Sequence, residues 1–128
     1  MTPQELVPDF ETCKKLKALG WDQDIHFEWF VFGSGRKEVM NLCVGFAERF
    51  PAPTAAEILA ELPYQFDDEH KNHEFVFKIY WLKEKYHVLF NKIGYVNDVQ
   101  DEFRNKNLAQ VLAELWIWWK ENYKEEKA

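Results

Sequence analysis

The residues with the most obvious capacity for chemistry lie in one acidic, histidine-containing segment. Asp67, His70 and His73 recur at a spacing of three. On a helix this spacing would place a carboxylate and two imidazoles on one face, where they could bind Zn²⁺ or a similar ion. We expect a loop that leads into a strand here, and in that context a spacing of three does not hold side chains on one face. A solvated acidic loop is therefore the favoured interpretation, and a metal site, in a metal-binding protein or a metal-dependent enzyme, is the alternative.

A glycine-containing segment, residues 33–36 (Gly-Ser-Gly-Arg), invites comparison with phosphate-binding loops. Neither GxGxxG nor GxxxxGK[ST] is completed, because Lys37, Glu38 and Val39 follow. The next element is expected to be a strand, so no helix N-terminus is available to receive a phosphate. We predict a hairpin turn.

The sequence gives little support for nucleophilic or acid–base catalysis. Ser34 is the only serine and lies in no GxSxG motif. Cys13 belongs to the apolar stripe of a predicted helix and Cys43 lies in mid-strand, so both are interpreted as packing residues. His26 and Glu28 share a strand face and could form an acid–base pair, but an exposed polar strand face is the favoured reading. We expect no enzyme activity and no cofactor.

Three amphipathic segments predict helices. Residues 9–19 follow a capping Asp9 and stop at Gly20. Residues 54–62 open with a capping box, Thr54-Ala-Ala-Glu57, and stop before a proline. Residues 105–123 carry apolar side chains at a helical period along one side.

Alternating patterns predict two hairpins between these helices. The first pairs residues 25–32 with 39–46, and the second pairs residues 74–82 with 86–93. Residues 83–85 lack the Asn-Gly or Asp-Gly of two-residue hairpins, so a longer loop or bulge is expected. In the second hairpin, Phe75, Phe77, Ile79 and Trp81 are expected to face inward, and Lys78 and Tyr80 outward. Segments 51–53, 64–73 and 94–103 are expected to be irregular.

These elements predict a single α+β domain spanning residues 1–128, in the order α-β-β-α-β-β-α. Four strands would form one mostly antiparallel sheet with the helices packed on one face. No internal repeat or linker divides the chain.

The aromatic content exceeds what one covered sheet face can hide. The chain has six Trp, five Tyr and eleven Phe in 128 residues. Phe30 and Tyr80 fall on the strand faces opposite the predicted core. On the last helix, Ile117 points away from the apolar stripe and Trp118 lies at its flank. We predict a protein interface that includes Ile117, Trp118, Phe30 and Tyr80; the alternative is that these side chains are isolated on the surface or covered by irregular segments.

Composition excludes several partners. The formal charge is −6, and the basic residues are scattered among acids, which disfavours nucleic acid and anionic membrane surfaces. The longest apolar run, residues 115–119, is far shorter than the roughly 20 residues of a membrane span. Two cysteines 30 residues apart suggest reduced thiols and a cytoplasmic protein.

Three segments carry a resemblance: residues 8–20 (PDFETCKKLKALG), 52–63 (APTAAEILAELP) and 107–116 (NLAQVLAELW). Together they resemble a pattern found in small uncharacterised proteins encoded in phages, prophages and the genomes of gut bacteria. That family has no assigned activity, so the resemblance implies a mobile-element context and transfers no site residue.

The function expected from the sequence is a non-enzymatic interaction or accessory protein whose partner is an unknown protein or a second copy of the chain. A ligand-binding domain with a small molecule between sheet and helices rests on fold analogy alone.

Overall fold

The computed structural model describes residues 2–23, 25–41, 47–63, 65–68, 73–92 and 102–123, and the α+β class is confirmed. Within these ranges the chain forms a short 3-10 helix, three α-helices and seven strands. In chain order they are the 3-10 helix Pro3–Leu6, α1 Phe10–Ala18, β1 Phe27–Val31, β2 Lys37–Met40, β3 Glu48–Ala52, α2 Ala55–Glu61, β4 Gln65–Asp68, β5 His73–Leu82, β6 Lys85–Lys92, β7 Phe103–Asn105 and α3 Leu108–Tyr123.

Helix α1 begins and ends where its capping residues predict. The Asp9 carboxylate accepts a hydrogen bond from the Thr12 amide at 2.8 Å. At the other end Gly20 adopts a left-handed φ of +87°, and the Trp21 amide donates to the Leu16 carbonyl. This backbone pattern is a Schellman motif, in which glycine avoids the steric cost of a side chain.

The first sheet has three antiparallel strands in the order β2-β1-β3. Strand β3 was not predicted, because Pro51 indicated a break in the chain. Pro51 lies opposite Glu28 on an edge strand. Its lack of an amide hydrogen therefore removes no hydrogen bond from the sheet. Strand β2 covers only part of the predicted segment 39–46, of which residues 42–46 lie outside the described residues.

Helix α2 confirms its capping box. The Glu57 amide donates to the Thr54 hydroxyl, and the Thr54 amide donates to the Glu57 carboxylate at 2.8 Å. The helix ends at Glu61, two residues before Pro63.

The prediction of one four-stranded sheet is wrong in detail, because the strands are divided between two sheets. The second sheet is antiparallel in the order β4-β5-β6-β7. The outer strand β4 lies in segment 64–73, which is expected to be irregular, and β7 spans the end of the irregular segment 94–103 and the first residue of the predicted helix 105–123. Both are short edge strands with polar residues, so they lack the apolar alternation that marks a half-buried strand.

The β5–β6 turn is tighter than expected. Leu82 pairs directly with Lys85, which leaves a loop of two residues. Lys83 and Glu84 adopt φ values of 53° and 64°. Two consecutive left-handed residues match a type I′ turn, whose twist suits a hairpin even though neither residue is Asn or Gly. The prediction of a longer loop is therefore wrong.

Helix α3 lies at the centre of the molecule. It packs against α1, α2, β6 and β7. Consequently residues on all its sides are buried, from Ala109 to Ala113 and from Leu115 to Ile117. The main hydrophobic cluster joins this helix to side chains from both sheets, including Trp29 and Phe50 of the first and Val88 and Phe90 of the second.

Candidate protein-binding site at the tip of the β5–β6 hairpin

The second sheet buries one of its central strands and exposes the end of the other. On β6, Val88, Leu89 and Phe90 are buried. On β5, the four consecutive residues 79–82 are between 40% and 56% exposed. Ile79 and Val88 are direct cross-strand neighbours, yet Ile79 is 42% exposed and Val88 is 0% exposed. We call residues 79–84, with their two-residue turn, the hairpin tip.

The position of α3 explains this contrast. The helix packs on β6 and β7, so strand β5 lies outside its main cover. The ring of Trp118 on α3 stacks on Phe90 of β6, with centroids 6.2 Å apart. Ile79 and Trp81 share the core-facing side of β5 but extend past this cover. They therefore lie on the predicted side of the strand, but the expectation that this side is covered is wrong at the tip.

The outer edge of β5 is paired along only part of its length. Strand β4 pairs with β5 from His73 to Val76. Among the described residues, no strand pairs with the outer edge from Phe77 to Leu82. We call residues 77–82 the open edge. An edge of this kind presents a row of backbone donors and acceptors that can pair with another strand.

The hairpin register indicates which backbone groups face outward. Leu82 and Lys85 flank the two-residue turn, so they form the closing hydrogen-bonded pair. Antiparallel pairs then alternate along the ladder between bonded and non-bonded positions. The amides of Leu82, Tyr80 and Lys78 therefore point toward β6, and those of Phe77, Ile79 and Trp81 point outward.

A polar network stiffens one face of the tip. The rings of Tyr80 and His87 stack with centroids 4.8 Å apart and an interplanar angle of 7°. The Tyr80 hydroxyl donates to Oε1 of Glu102 at 2.8 Å, and Nδ1 of His87 lies 3.0 Å from Oε2 of the same carboxylate. Glu102 immediately precedes β7, so the network joins three neighbouring strands on one face of the sheet.

Both ring nitrogens of His87 face acceptors. Nε2 lies 3.2 Å from the carbonyl oxygen of Leu82, and Nδ1 faces the Glu102 carboxylate. A carbonyl and a carboxylate only accept, so each of these contacts is a hydrogen bond when the ring nitrogen in it carries the hydrogen. His87 therefore connects the backbone of Leu82 to the Glu102 carboxylate and holds this end of the hairpin in place.

Two pKa values agree with this description of the network. Hydrogen bonding from His87, and then from Tyr80, lowers the pKa of Glu102 below its ordinary value, against the opposing effect of partial burial. The hydrogen bond that the Tyr80 hydroxyl donates to Glu102 raises the pKa of Tyr80. The carboxylate form of Glu102 is therefore the form that the network stabilises.

The opposite face of the tip is apolar and more open. Trp81 is the most exposed large apolar residue of the described chain, at 56%. Its ring meets Tyr86 edge to face, with centroids 4.7 Å apart. With Ile79 on the same face, Trp81 forms an exposed apolar strip that ends at the turn. Contiguous exposed apolar surface of this kind is a common mark of an interaction site.

The charge around the tip is opposite in sign to that of the whole chain. Among the described residues from 77 to 87 and from 102 to 106, five side chains are basic and two are acidic. The chain as a whole carries −6. The basic residues are Lys78, Lys83, Lys85, Arg104 and Lys106, all exposed, and the acidic ones are Glu84 and Glu102.

The four residues predicted for an interface do not share a surface. Tyr80 is 40% exposed and lies at the tip, and Trp118 is half-buried against Phe90. Phe30 and Ile117 are 1% and 8% exposed, so the expectation that they lie on the surface is wrong. Phe30 is buried in the first sheet beneath the Arg49 guanidinium, 5.5 Å from its ring. Ile117 is buried because α3 is packed on several sides rather than one.

The other predicted chemical candidates fall into two groups. His70 and Cys43 lie outside the described residues, as do the side chains of Asp67 and His73, so the metal site stays a prediction. Cys13 is fully buried with a free thiol, and burial raises the pKa of that thiol, which disfavours a nucleophilic role.

The two strand-associated candidates have ordinary structural roles. His26 is exposed and packs edge to face on Phe27, and Glu28 is half-buried. Residues 33–36 form the predicted turn, in which the Gly35 amide donates to the Phe32 carbonyl at 2.8 Å and Gly35 has a φ of +92°.

The Tyr80–His87–Glu102 network was not found from the sequence. Glu102 is 15 residues from His87 and 22 from Tyr80, and it lies in a segment expected to be irregular. Only the pairing of β6 with β7 brings it to the hairpin. A local motif search has no signal for such a contact, although His87 and Tyr80 are predictable as cross-strand neighbours once the tight turn is known.

The described residues show neither a metal-binding cluster nor a membrane-spanning helix. They contain no group of three or more His, Cys, Asp or Glu side chains arranged to hold a metal ion. Nor does any helix among them have the length and hydropathy needed to traverse a lipid bilayer.

Comparisons of the chain with protein-family models, with curated proteins and with solved structures gave no match. The resemblance to phage and prophage proteins therefore stays a prediction, and functional reasoning depends on the geometry.

Proposed function

We propose that the protein is a non-enzymatic interaction module that docks another protein on the tip of its β5–β6 hairpin. The observation that carries this proposal is the run of four consecutive large side chains, Ile79, Tyr80, Trp81 and Leu82, each at least 40% exposed. Burying such side chains in an interface contributes favourable free energy of roughly 25 cal/mol per Å² of apolar area.

The construction of the tip supports a binding role. The hairpin is held by the Tyr80–His87–Glu102 network and by the Trp81–Tyr86 contact. A surface that is ordered before binding loses less conformational entropy when its partner arrives. Aromatic residues of this type are also frequent among the residues that dominate binding energies.

The compartment we propose is the cytoplasm. The buried, free thiol of Cys13 supports it, because cysteines packed as small apolar residues are common where thiols stay reduced.

Crosslinking from the tip tests the proposed function. A photo-crosslinking amino acid at position 83 of the full chain, produced in its native cells, is expected to capture a specific protein that mass spectrometry identifies. The double variant Trp81→Ser/Leu82→Ser should lose this product by about tenfold. The control Leu59→Ser, which removes a 39% exposed apolar side chain from α2, should retain it. Absence of any product, or equal capture by the double variant, contradicts the proposal.

A further inference from the structure

We infer that the open edge of β5 binds an extended, acidic segment of another protein as an added β-strand. This inference rests on the proposed function and specifies how the partner binds. Strand addition uses backbone hydrogen bonds for affinity and alternate side chains for selectivity.

The backbone supplies the first argument. The outward amides of Phe77, Ile79 and Trp81 lie in a row on a regularly paired strand. Beyond β4, the described chain provides them with no strand partner. One added strand of about six residues would satisfy these donors together with the outward carbonyls of the same residues.

The side chains supply the second argument. An added strand would lie beside Phe77, Ile79 and Trp81 on one face of the sheet. On the other face its neighbours would be Lys78, Tyr80 and Leu82. Cross-strand pairs with aromatic and β-branched residues stabilise a sheet. The incoming segment therefore gains apolar contacts on both faces.

Charge selects the kind of segment. The exposed side chain of Lys78 lies on the open edge and that of Lys83 in the adjoining turn, while Lys85, Arg104 and Lys106 lie farther across the same end of the sheet. Among the described residues, none of these five forms a salt bridge. Segments that carry Asp or Glu between apolar residues match this surface, whereas basic segments are repelled.

The same charges argue against a second copy as the occupant. A two-fold axis perpendicular to the sheet would pair β5 antiparallel with its copy, for example with Tyr80 opposite Tyr80. That arrangement brings Lys78 and Lys83 of both copies to one seam, with Lys85 of each copy one strand behind it. Lysine on an exposed edge strand is a known device against self-pairing.

Designed peptides test the inference with the full, unmodified chain. The probe is a fluorescent peptide of sequence Glu-Val-Glu-Ile-Glu-Val-Glu, and its control is the same peptide with Lys in place of Glu. We expect the acidic peptide to bind at least about tenfold more tightly than the basic one by fluorescence anisotropy. On binding, the amides of Phe77, Ile79 and Trp81 should become protected from hydrogen exchange.

Variants of the protein test separately the contributions of the backbone hydrogen bonds and of the charges to peptide binding. Ile79→Pro removes one outward amide without removing a bond to β6, and should weaken binding of the acidic peptide by about tenfold, while Ile79→Val should bind normally. Lys83→Glu/Lys85→Glu should reverse the preference toward the basic peptide. This reversal keeps the inference testable if the proline variant does not fold.

Three results overturn the inference. The acidic peptide fails to bind at about 1 mM, or it binds without protecting the outward amides, or the chain forms a dimer in which those amides are already protected. The crosslinking experiment distinguishes these failures from failure of the proposed function. A partner captured from position 83 in a tip-dependent manner supports docking on the tip even where strand addition is wrong.

Discussion

The carboxylate of Glu102 joins the Tyr80 hydroxyl and the His87 imidazole on one face of the hairpin. Its pKa is lowered chiefly by hydrogen bonding from His87, so the folded chain binds a proton at this group less readily than the unfolded chain does. The contribution to stability is therefore complete above the pKa of the unfolded carboxyl group. It is lost as the pH falls through the lower folded value.

Replacement of Glu102 by glutamine should show this pH dependence. At neutral pH we expect Glu102→Gln to lower the free energy of unfolding by at most about 1 kcal/mol, because the carboxylate is partly exposed to solvent. As the pH falls through the lowered folded pKa of Glu102, the difference from the wild type should shrink, since both side chains then become neutral. Urea titrations across this range provide the measurement. A difference that persists at the acid end of the titration would contradict the assigned role of Glu102.

The β5–β6 turn is the element whose sequence fits its backbone least well. Lys83 and Glu84 both occupy the left-handed region, which costs an ordinary residue roughly 1 kcal/mol. The variant Lys83→Asn/Glu84→Gly should therefore raise the free energy of unfolding by about 1 kcal/mol in urea. The control Lys83→Ala/Glu84→Ala keeps the unfavourable φ values and should bring no gain. Equal stability of the two variants would show that the turn is not of type I′.

The capping box of α2 provides a second test at this scale. Thr54→Ala removes the hydroxyl that accepts from the Glu57 amide. It should lower the free energy of unfolding by about 1 kcal/mol and with it the thermal midpoint. Thr2 is a matched control, because it precedes the 3-10 helix without a side-chain capping bond. Thr2→Ala should thus leave the thermal midpoint nearly unchanged. Equal losses in the two variants would argue against a capping role for Thr54.

Elements with local signals were predictable, and elements defined by distant partners were not. Asp9, Gly20 and Thr54 act on residues within one helical turn, so their motifs locate α1 and α2 directly. Strand β3 contains Pro51, and its assignment depends on its being at the edge of the first sheet. Short, acidic β4 likewise becomes a strand through its pairing with β5.

The candidate site was likewise predictable where its signals are local and not where they depend on distant partners. Alternation along β5 correctly predicted a strand and an exposed Tyr80. It could not indicate that Ile79 and Trp81 would also be exposed, since that follows from where α3 packs on the second sheet. For the same reason Ile117 was expected on the surface: a helical wheel cannot reveal that a helix is covered from several directions.

At the scale of the whole molecule, Gln110 links the two ends of the described chain. Its Oε1 accepts from the Asp9 amide at 2.7 Å, and its Nε2 donates to the Thr12 hydroxyl at 2.8 Å. Gln110 is 7% exposed, so its removal leaves buried polar groups without partners. We expect Gln110→Ala to lower the free energy of unfolding by about 1–3 kcal/mol in a urea titration.

The control for this prediction is Gln23→Ala, since the Gln23 side chain is exposed and, among the residues that the structure describes, bonds only to its neighbour Asp22. A surface change of this kind should stay within about 0.5 kcal/mol of the wild type. Similar effects of the two variants would mean that the link between α1 and α3 contributes little to stability.

Amide hydrogen exchange along β5 of the free chain, followed by NMR, tests most directly whether the hairpin edge is available to a partner. We predict fast exchange at Phe77, Ile79 and Trp81, and slow exchange at Lys78 and Tyr80, whose amides bond to β6. Slow exchange at all five positions would mean that the edge is already paired in the free protein, and would contradict a docking role for the hairpin.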